Sequence, residues 1–255
     1  MVTKKGSNKS DNLKGTNGDD VLYGLGGNDR LDGGAGNDDL VGGDGNDTFI
    51  GRFDGADTMD GGKGTDRLNY SNSTGVVSIT LDTNANYAYK SGNYDWFKSI
   101  EVFTLSKFND SFSATGDQTT KVFGGAGNDL LSTSGGGFMR GDAGLDILVG
   151  DSAKTDTFWL QRGKGADTLF YFTSAQDTLW LDGDDFDLGA LVGQHEIVYT
   201  NGNQNAVGSK AQLIFDLTAR ELYYDPDGTG TKAAELIATF DSSSNTPGVY
   251  SFEVI

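Results

Sequence analysis

Through its first quarter the chain places one apolar residue in about every nine, and little that is apolar between. Leu22, Leu31, Leu40, Phe49, Met59 and Leu68 keep this interval, while glycine, asparagine and aspartate fill most of the space between them. A buried helix face would repeat about every 3.6 residues and a long half-buried strand at every second one, so neither pattern fits. What fits is a very short strand with a single inward side chain, followed by a tight turn, many times over. The units read GTNGDDVLY from Gly15, GLGGNDRLD from Gly24, GGAGNDDLV from Gly33, GGDGNDTFI from Gly42, a stretched GRFDGADTMD from Gly51 and GGKGTDRLN from Gly61. Asp20, Asp29, Asp38, Asp47, Asp57 and Asp66 stand two places before the apolar residue of each.

The glycine-rich half of a unit tolerates positive φ and close backbone approach, so it can turn sharply and aim carbonyl oxygens inward. In the strand half, successive side chains point to opposite faces, which sends the apolar residue into a thin core. With two units per coil of about 18 residues, each aspartate stacks on another about 4.8 Å away. Asp20, Asp38 and Asp57 then line one edge, and Asp29, Asp47 and Asp66 the other.

Such a ladder repels itself. Two carboxylates about 4.8 Å apart cost on the order of 1 kcal/mol in water and about 3.5 kcal/mol at an effective dielectric of 20. Over several rungs this rivals a whole domain's stability of roughly 5–15 kcal/mol, so a cation between rungs is required. From Gly15 to Asn69 there are twelve Asp, no Glu and four Lys or Arg, and the whole chain has no Cys and one His. Oxygen donors on a flexible turn suit calcium, whereas zinc and copper prefer nitrogen and sulfur.

Six such units in register resemble the RTX (repeats-in-toxin) family of secreted Gram-negative bacterial proteins. A flexible Gly/Asp-rich linker would need no periodic Leu or Phe. The resemblance implies an all-β fold, a parallel β-roll or β-helix solenoid in which Asp side chains and turn carbonyls hold calcium between coils. It assigns that metal-binding role to the six aspartates above.

After Asn69 the pattern stops. Val76, Val77, Ile79 and Leu81 predict a strand, and SIEVFTL from Ser99 to Leu105 predicts another. Tyr87, Tyr89, Tyr94, Trp96 and Phe97 lie between; they either meet a partner such as a sugar or form a local core over the side of the solenoid, and the second is the expectation taken. A degraded block follows, with Asp110, Asp129, Asp146, Asp156 and Asp167 in the metal-binding place and Thr120 and Gly137 interrupting it. Its inward residues stay apolar: Phe112, Val122, Leu131, Met139, Leu148, Phe158 and Leu169. Two-unit stacking puts Asp110, Asp129, Asp146 and Asp167 on one edge and only Asp156 on the other, so calcium is expected mainly on one edge. Asp156 follows an insertion, Asp151 to Lys154, that could shift its aim.

From Phe170 glycine thins and longer mixed strands appear. DTLFYF, QDTLWLD, LYYDPDGTG and the ending Phe252-Glu253-Val254-Ile255 are similar to the C-terminal region of RTX exoproteins, which caps the roll and carries an uncleaved type I export signal. A solenoid needs such a cap in any case. Asp225, Asp227, Thr229 and Gly230 imitate the start of an EF-hand loop, but Leu236 stands where a bidentate Glu is expected, so a tight turn is the reading. The organisation expected is a basic head (1–14), a first repeat block (15–69), an aromatic β spacer (70–107), a second block (108–169) and a C-terminal cap (170–255).

Net charge of −18 and a pI near 4.2 argue against nucleic acid as a partner. The start MVTKKGSNKS lacks the apolar stretch of a cleavable signal peptide, so export would take a different route; the type I export machinery is the route that the RTX resemblance implies, with a secreted location. No His-Glu-x-x-His or Gly-x-Ser-x-Gly motif occurs, and the lone His195 and the pair Asp184 and Asp185 give weak grounds for catalysis, so no enzyme is expected. Two readings remain open. One is a secreted calcium-binding protein that folds outside the cell and acts on surface polysaccharide or a host membrane. The other is the export and folding module of a larger exoenzyme of protease, lipase or epimerase type.

Overall fold

The computed structural model describes residues 1–52, 54–83, 86–90, 92–182, 185–186, 197–202, 211–228, 233–247 and 252–254. Asp184, His195, Thr229, Gly230 and Ile255 lie outside them. The described residues are all strand, turn or loop, and no helix among them is long and apolar enough to cross a membrane. The architecture is a parallel β-solenoid, and the chain forms two compact units, Met1–Ala126 and Gly127–Ile255.

In the first unit, two sheets rise side by side from alternate strands. One begins Thr3–Lys5, Val21–Gly26, Asp39–Asp44, Thr58–Lys63; the other runs Asn12–Thr16, Arg30–Gly34, Thr48–Ile50, Arg67–Asn69, Val102–Thr104, Thr120–Phe123. All these neighbours are parallel, and the register stacks like on like: Leu22 beside Leu40, Leu40 beside Met59, Leu31 beside Phe49, Phe49 beside Leu68. These six side chains are the core expected from the repeat, each no more than 2% exposed. The roll also takes in residues expected to form a basic head, because Thr3–Lys5 pairs with Val21–Tyr23 and Asn12–Thr16 with Arg30–Gly34.

The interruption after Asn69 is confined to one sheet. Val102–Thr104 continues the other directly, with Phe103 beside Leu68 and then beside Val122. On the interrupted side, Asn93–Lys98 adds in parallel to Thr58–Lys63, then Asn86–Lys90 and Ser78–Leu81 run antiparallel before Ser111–Ala114 restores the parallel direction. Of the five aromatic residues expected as a local core, only Phe97 is one, at 6% exposed. Tyr89, Tyr94 and Trp96 are exposed, because strand alternation in the hairpin sends Ala88, Asp95 and Phe97 inward and leaves the rings outside. There Tyr87 stands 5.6 Å from both Tyr94 and Trp96, and Tyr89 4.9 Å from Tyr94, forming a cross-strand aromatic ladder.

In the second unit one sheet carries Leu130–Thr133, Ile147–Val149 and Asp167–Phe170, then Glu235–Phe240 in parallel, and antiparallel Glu221–Asp225 and Gln212–Asp216 beyond it. The other carries Gly137–Arg140, Thr157–Leu160, Thr178–Leu181 and Phe252–Val254, all parallel. Leu131, Met139, Leu148, Phe158 and Leu169 are fully buried, as the repeat predicts. Thr178–Leu181 and the terminal Phe252–Val254, both in the expected cap, extend the solenoid sheet itself.

Candidate metal centre

Each repeat aspartate sits where a turn meets a strand, and all eleven singled out from sequence are buried, none more than 6% exposed. Their Oδ1 atoms join successive coils. The N–H of Asp20 donates to Asp38 Oδ1 (2.8 Å), that of Asp38 to Asp57 (2.9 Å), and that of Asp57 to Asp95 (3.1 Å). Along the other edge the N–H of Asp11 donates to Asp29 Oδ1 (2.8 Å), Asp29 to Asp47 (2.8 Å), Asp47 to Asp66 (2.7 Å), and Asp66 to Glu101 Oε2 (2.9 Å). In the second unit Asp129 donates to Asp146 (2.8 Å), Asp146 to Asp167 (3.2 Å), and Asp156 to Asp177 (2.8 Å).

The second oxygens are a different matter. Oδ2 of Asp29, Asp38, Asp47, Asp66 and Asp146 is buried and accepts no hydrogen bond. A buried carboxylate oxygen left without a partner is costly. Each of these five oxygens faces the first glycine of its own turn: a Cβ at Gly33 or Gly42 would come within 2.1 Å of Asp38 or Asp47 Oδ2. The turns themselves are backbone cradles. Gly34 holds φ +99 and a Cβ there would lie 1.9 Å from the Thr16 carbonyl, so only glycine lets the coils approach this closely.

Electrostatics follow from burial. Burial pushes the carboxyls of Asp38 and Asp47 above their ordinary range, and lifts Asp66 to about 6. Burial, then the neighbouring Asp95 charge, lifts Asp57 to about 8; burial lifts Asp95 to about 6 even though the Tyr70 hydroxyl donates to it (2.7 Å). Asp167 is pushed well up by burial and by Asp146 beside it. A divalent cation would reverse these shifts by neutralising the pairs. Among the described residues no three Asp, Glu, His or Cys side chains converge into a cage. An ion here must therefore draw on backbone carbonyls together with one or two carboxylates, an oxygen donor set that fits calcium.

The rows contain four acidic residues that the nonapeptide reading missed: Asp11, Asp95, Glu101 and Asp177. A signal was present, since each stands two places before an apolar residue, Leu13, Phe97, Phe103 and Leu179, although the glycine turn before it is lost or altered. The EF-hand-like Asp225 turns on itself, with Oδ1 accepting from the N–H groups of Asp227 and Gly228 (3.0 and 2.9 Å).

A family model described as the RTX calcium-binding nonapeptide repeat (4 copies) matches residues 5–40, 32–68 and 121–137. No curated protein matches the chain. Among 33 matching solved chains is the extracellular lipase LipA from Serratia marcescens, 21% identical, with a TM-score of 0.37 and coverage of 93% of this chain. The chain spans 40% of the length of that lipase.

Proposed function

We propose that this chain, which carries RTX calcium-binding nonapeptide repeats, is a secreted protein whose fold is completed by calcium and which acts by binding a partner outside the cell. The observation that carries the calcium step is the set of buried, unpartnered Oδ2 atoms of Asp29, Asp38, Asp47, Asp66 and Asp146, each set against a glycine turn. Asp57, Asp129 and Asp167 belong to the same rows. Bound calcium supplies the positive charge that lets these carboxylates stack ionised.

At extracellular-module affinities of about 10⁻⁴–10⁻³ M, each site contributes roughly 0.4–1.4 kcal/mol at ~1 mM calcium and almost nothing at cytosolic levels. Several sites sum to the scale of domain stability. The chain is then expanded inside the cell, passes through type I export machinery in that state, and folds on meeting calcium. Circular dichroism at pH 8 tests this: calcium produces a β spectrum, EGTA abolishes it, and a β spectrum that survives EGTA at that pH refutes the switch.

For the partner, the ladder of half-buried Tyr87 and exposed Tyr89, Tyr94 and Trp96 favours surface polysaccharide over a host membrane. Its rings are flat and polar-tipped, and Lys98 and Asp60 pair beside them at 2.9 Å, offering hydrogen bonds that a sugar can use. A glycan array run with calcium, beside vesicle leakage, separates the two partners.

A further inference from the structure

In three turns of the first unit the second carboxylate oxygen is closed rather than open. The N–H and the hydroxyl of Ser7 both donate to Asp11 Oδ2 (2.6 and 2.9 Å). Thr16 does the same to Asp20 (2.6 and 2.7 Å), and Ser106 to Asp110 (2.6 and 2.7 Å). In each case the hydroxyl oxygen also accepts the N–H two residues on, from Lys9, Gly18 or Phe108 (3.2, 3.3 and 3.2 Å). Three separate turns thus build one motif, a Ser or Thr four residues before the Asp.

The open turns differ at that same place. Four residues before Asp29, Asp38, Asp47 and Asp66 stand Leu25, Gly34, Gly43 and Gly62, all with positive φ (80, 99, 112 and 98). There no N–H or hydroxyl reaches Oδ2. The closed turns are also placed distinctively. Val2 and Val77 stand in the coil before Asp20 and Asp110, and each donates its N–H to the Oδ1 of that aspartate. An apolar residue thus occupies the acidic place on that side, so half of a shared ligand set is missing.

Resting on the calcium reading above, we propose that Ser7, Thr16 and Ser106 close Asp11, Asp20 and Asp110 against calcium, so that these rungs stay metal-free, the N–H and hydroxyl of the residue four before the aspartate filling the place an ion takes in the open turns. The second unit uses related closures. The Asp151 N–H donates to Asp156 Oδ2 (2.7 Å) while the Thr133 hydroxyl takes its Oδ1 (2.9 Å), and the Thr173 N–H donates to Asp177 Oδ2 (2.6 Å). Asp20, Asp110 and Asp156 therefore leave the set of calcium ligands that the repeat spacing suggested, and Asp20, whose hydrogen bonds outweigh its burial, is the one among them with a lowered pKa.

Isothermal titration of the full chain with calcium chloride decides this, with folding of each variant in calcium checked by circular dichroism. Asp20→Asn and Asp110→Asn are expected to take up as many ions as the wild type, and Asp38→Asn and Asp47→Asn fewer. Loss of an ion in Asp20→Asn or Asp110→Asn overturns the closure while leaving calcium-driven folding intact; a wild type that takes up no calcium overturns both. Should either Asn variant fail to fold, Thr16→Val and Ser106→Ala carry the test. Each is expected to keep the ion count while its folding constant at fixed calcium falls roughly tenfold, the loss of one hydrogen bond to a charged acceptor. A changed count, or an unchanged folding constant, overturns the proposal.

Discussion

Without calcium the roll should be held together by acid. Burial lifts the carboxyls of Asp66, Asp95 and Asp156 from an ordinary 3.8 to about 6, and burial with the Asp95 charge lifts Asp57 to about 8. A group whose folded pKa is raised binds its proton more tightly in the fold than in the open chain. Its contribution is complete below pH 3.8 and is lost as pH rises through 6, or through 8 for Asp57. For Asp156 alone, moving from 3.8 to about 6 disfavours the metal-free fold at neutral pH by about 3 kcal/mol relative to pH 4. Two or three such groups approach the roughly 5–15 kcal/mol that holds a domain together. The carboxyls with lowered pKa, Asp20, Asp32, Asp216 and Asp241, act only below pH 3.8, so the window from pH 4.5 to 8 isolates the raised ones. Urea unfolding in EGTA, followed by circular dichroism, should show a β fold at pH 4.5 that weakens steadily and is lost by pH 8. With saturating calcium the slope should shrink, because the ion takes the ionised carboxylates of Asp57 and Asp66, while the share of Asp156, closed against the ion, remains. A metal-free stability that is flat or rises across this window would refute the argument.

Replacing Gly33 or Gly42 by Ala puts a methyl within 2.1 Å of the buried, unpartnered Oδ2 of Asp38 or Asp47, so calorimetry should show fewer calcium ions bound and a higher calcium midpoint for folding. Arg52 forks onto the buried Asp32 (2.9 and 2.7 Å), and Arg52→Ala should cost about 2–4 kcal/mol in calcium, read by urea midpoint, because it strands that carboxylate. Trp96→Ala should leave ion count and thermal midpoint unchanged while abolishing binding on a glycan array, since the ring is 45% exposed. Folding followed against calcium concentration should show a Hill coefficient above 1; a coefficient of 1 would mean independent sites.

The regular part of the roll was legible because one physical rule fixes two positions at once: the apolar residue must face in, and the residue two places earlier then lies at the turn. That rule holds even where glycine is lost, as at Glu101 before Phe103 and Asp177 before Leu179, but a reading tied to the glycine motif stops at Asn69 and at Phe170. The aromatic hairpin misled for a different reason. Composition says nothing about which face of a strand meets the core, and the alternation that buries Phe97 is what exposes Trp96 and Tyr94. The closed turns were hidden by the same economy of signal, since Thr16 and Gly34 sit in register at the same place of the repeat, and only their hydrogen bonds separate a satisfied carboxylate from an open one.

The two oxygens of each aspartate divide the labour of assembly. Oδ1 is committed to the backbone of the preceding coil, as in the bonds from Asp20 to Asp38 and from Asp29 to Asp47 (both 2.8 Å), so a carboxylate reaches its final aim only once two coils have stacked. In the open turns Oδ2 then faces a glycine turn without a partner. On the calcium-binding proposal, stacking and calcium uptake are therefore one event at each open rung, and the ordered rung is the template for the next. Where Val2 or Val77 leaves the row without an acidic neighbour to share an ion with, the proposed closure by Thr16 or Ser106 takes the ion's place, which lets that rung form without metal.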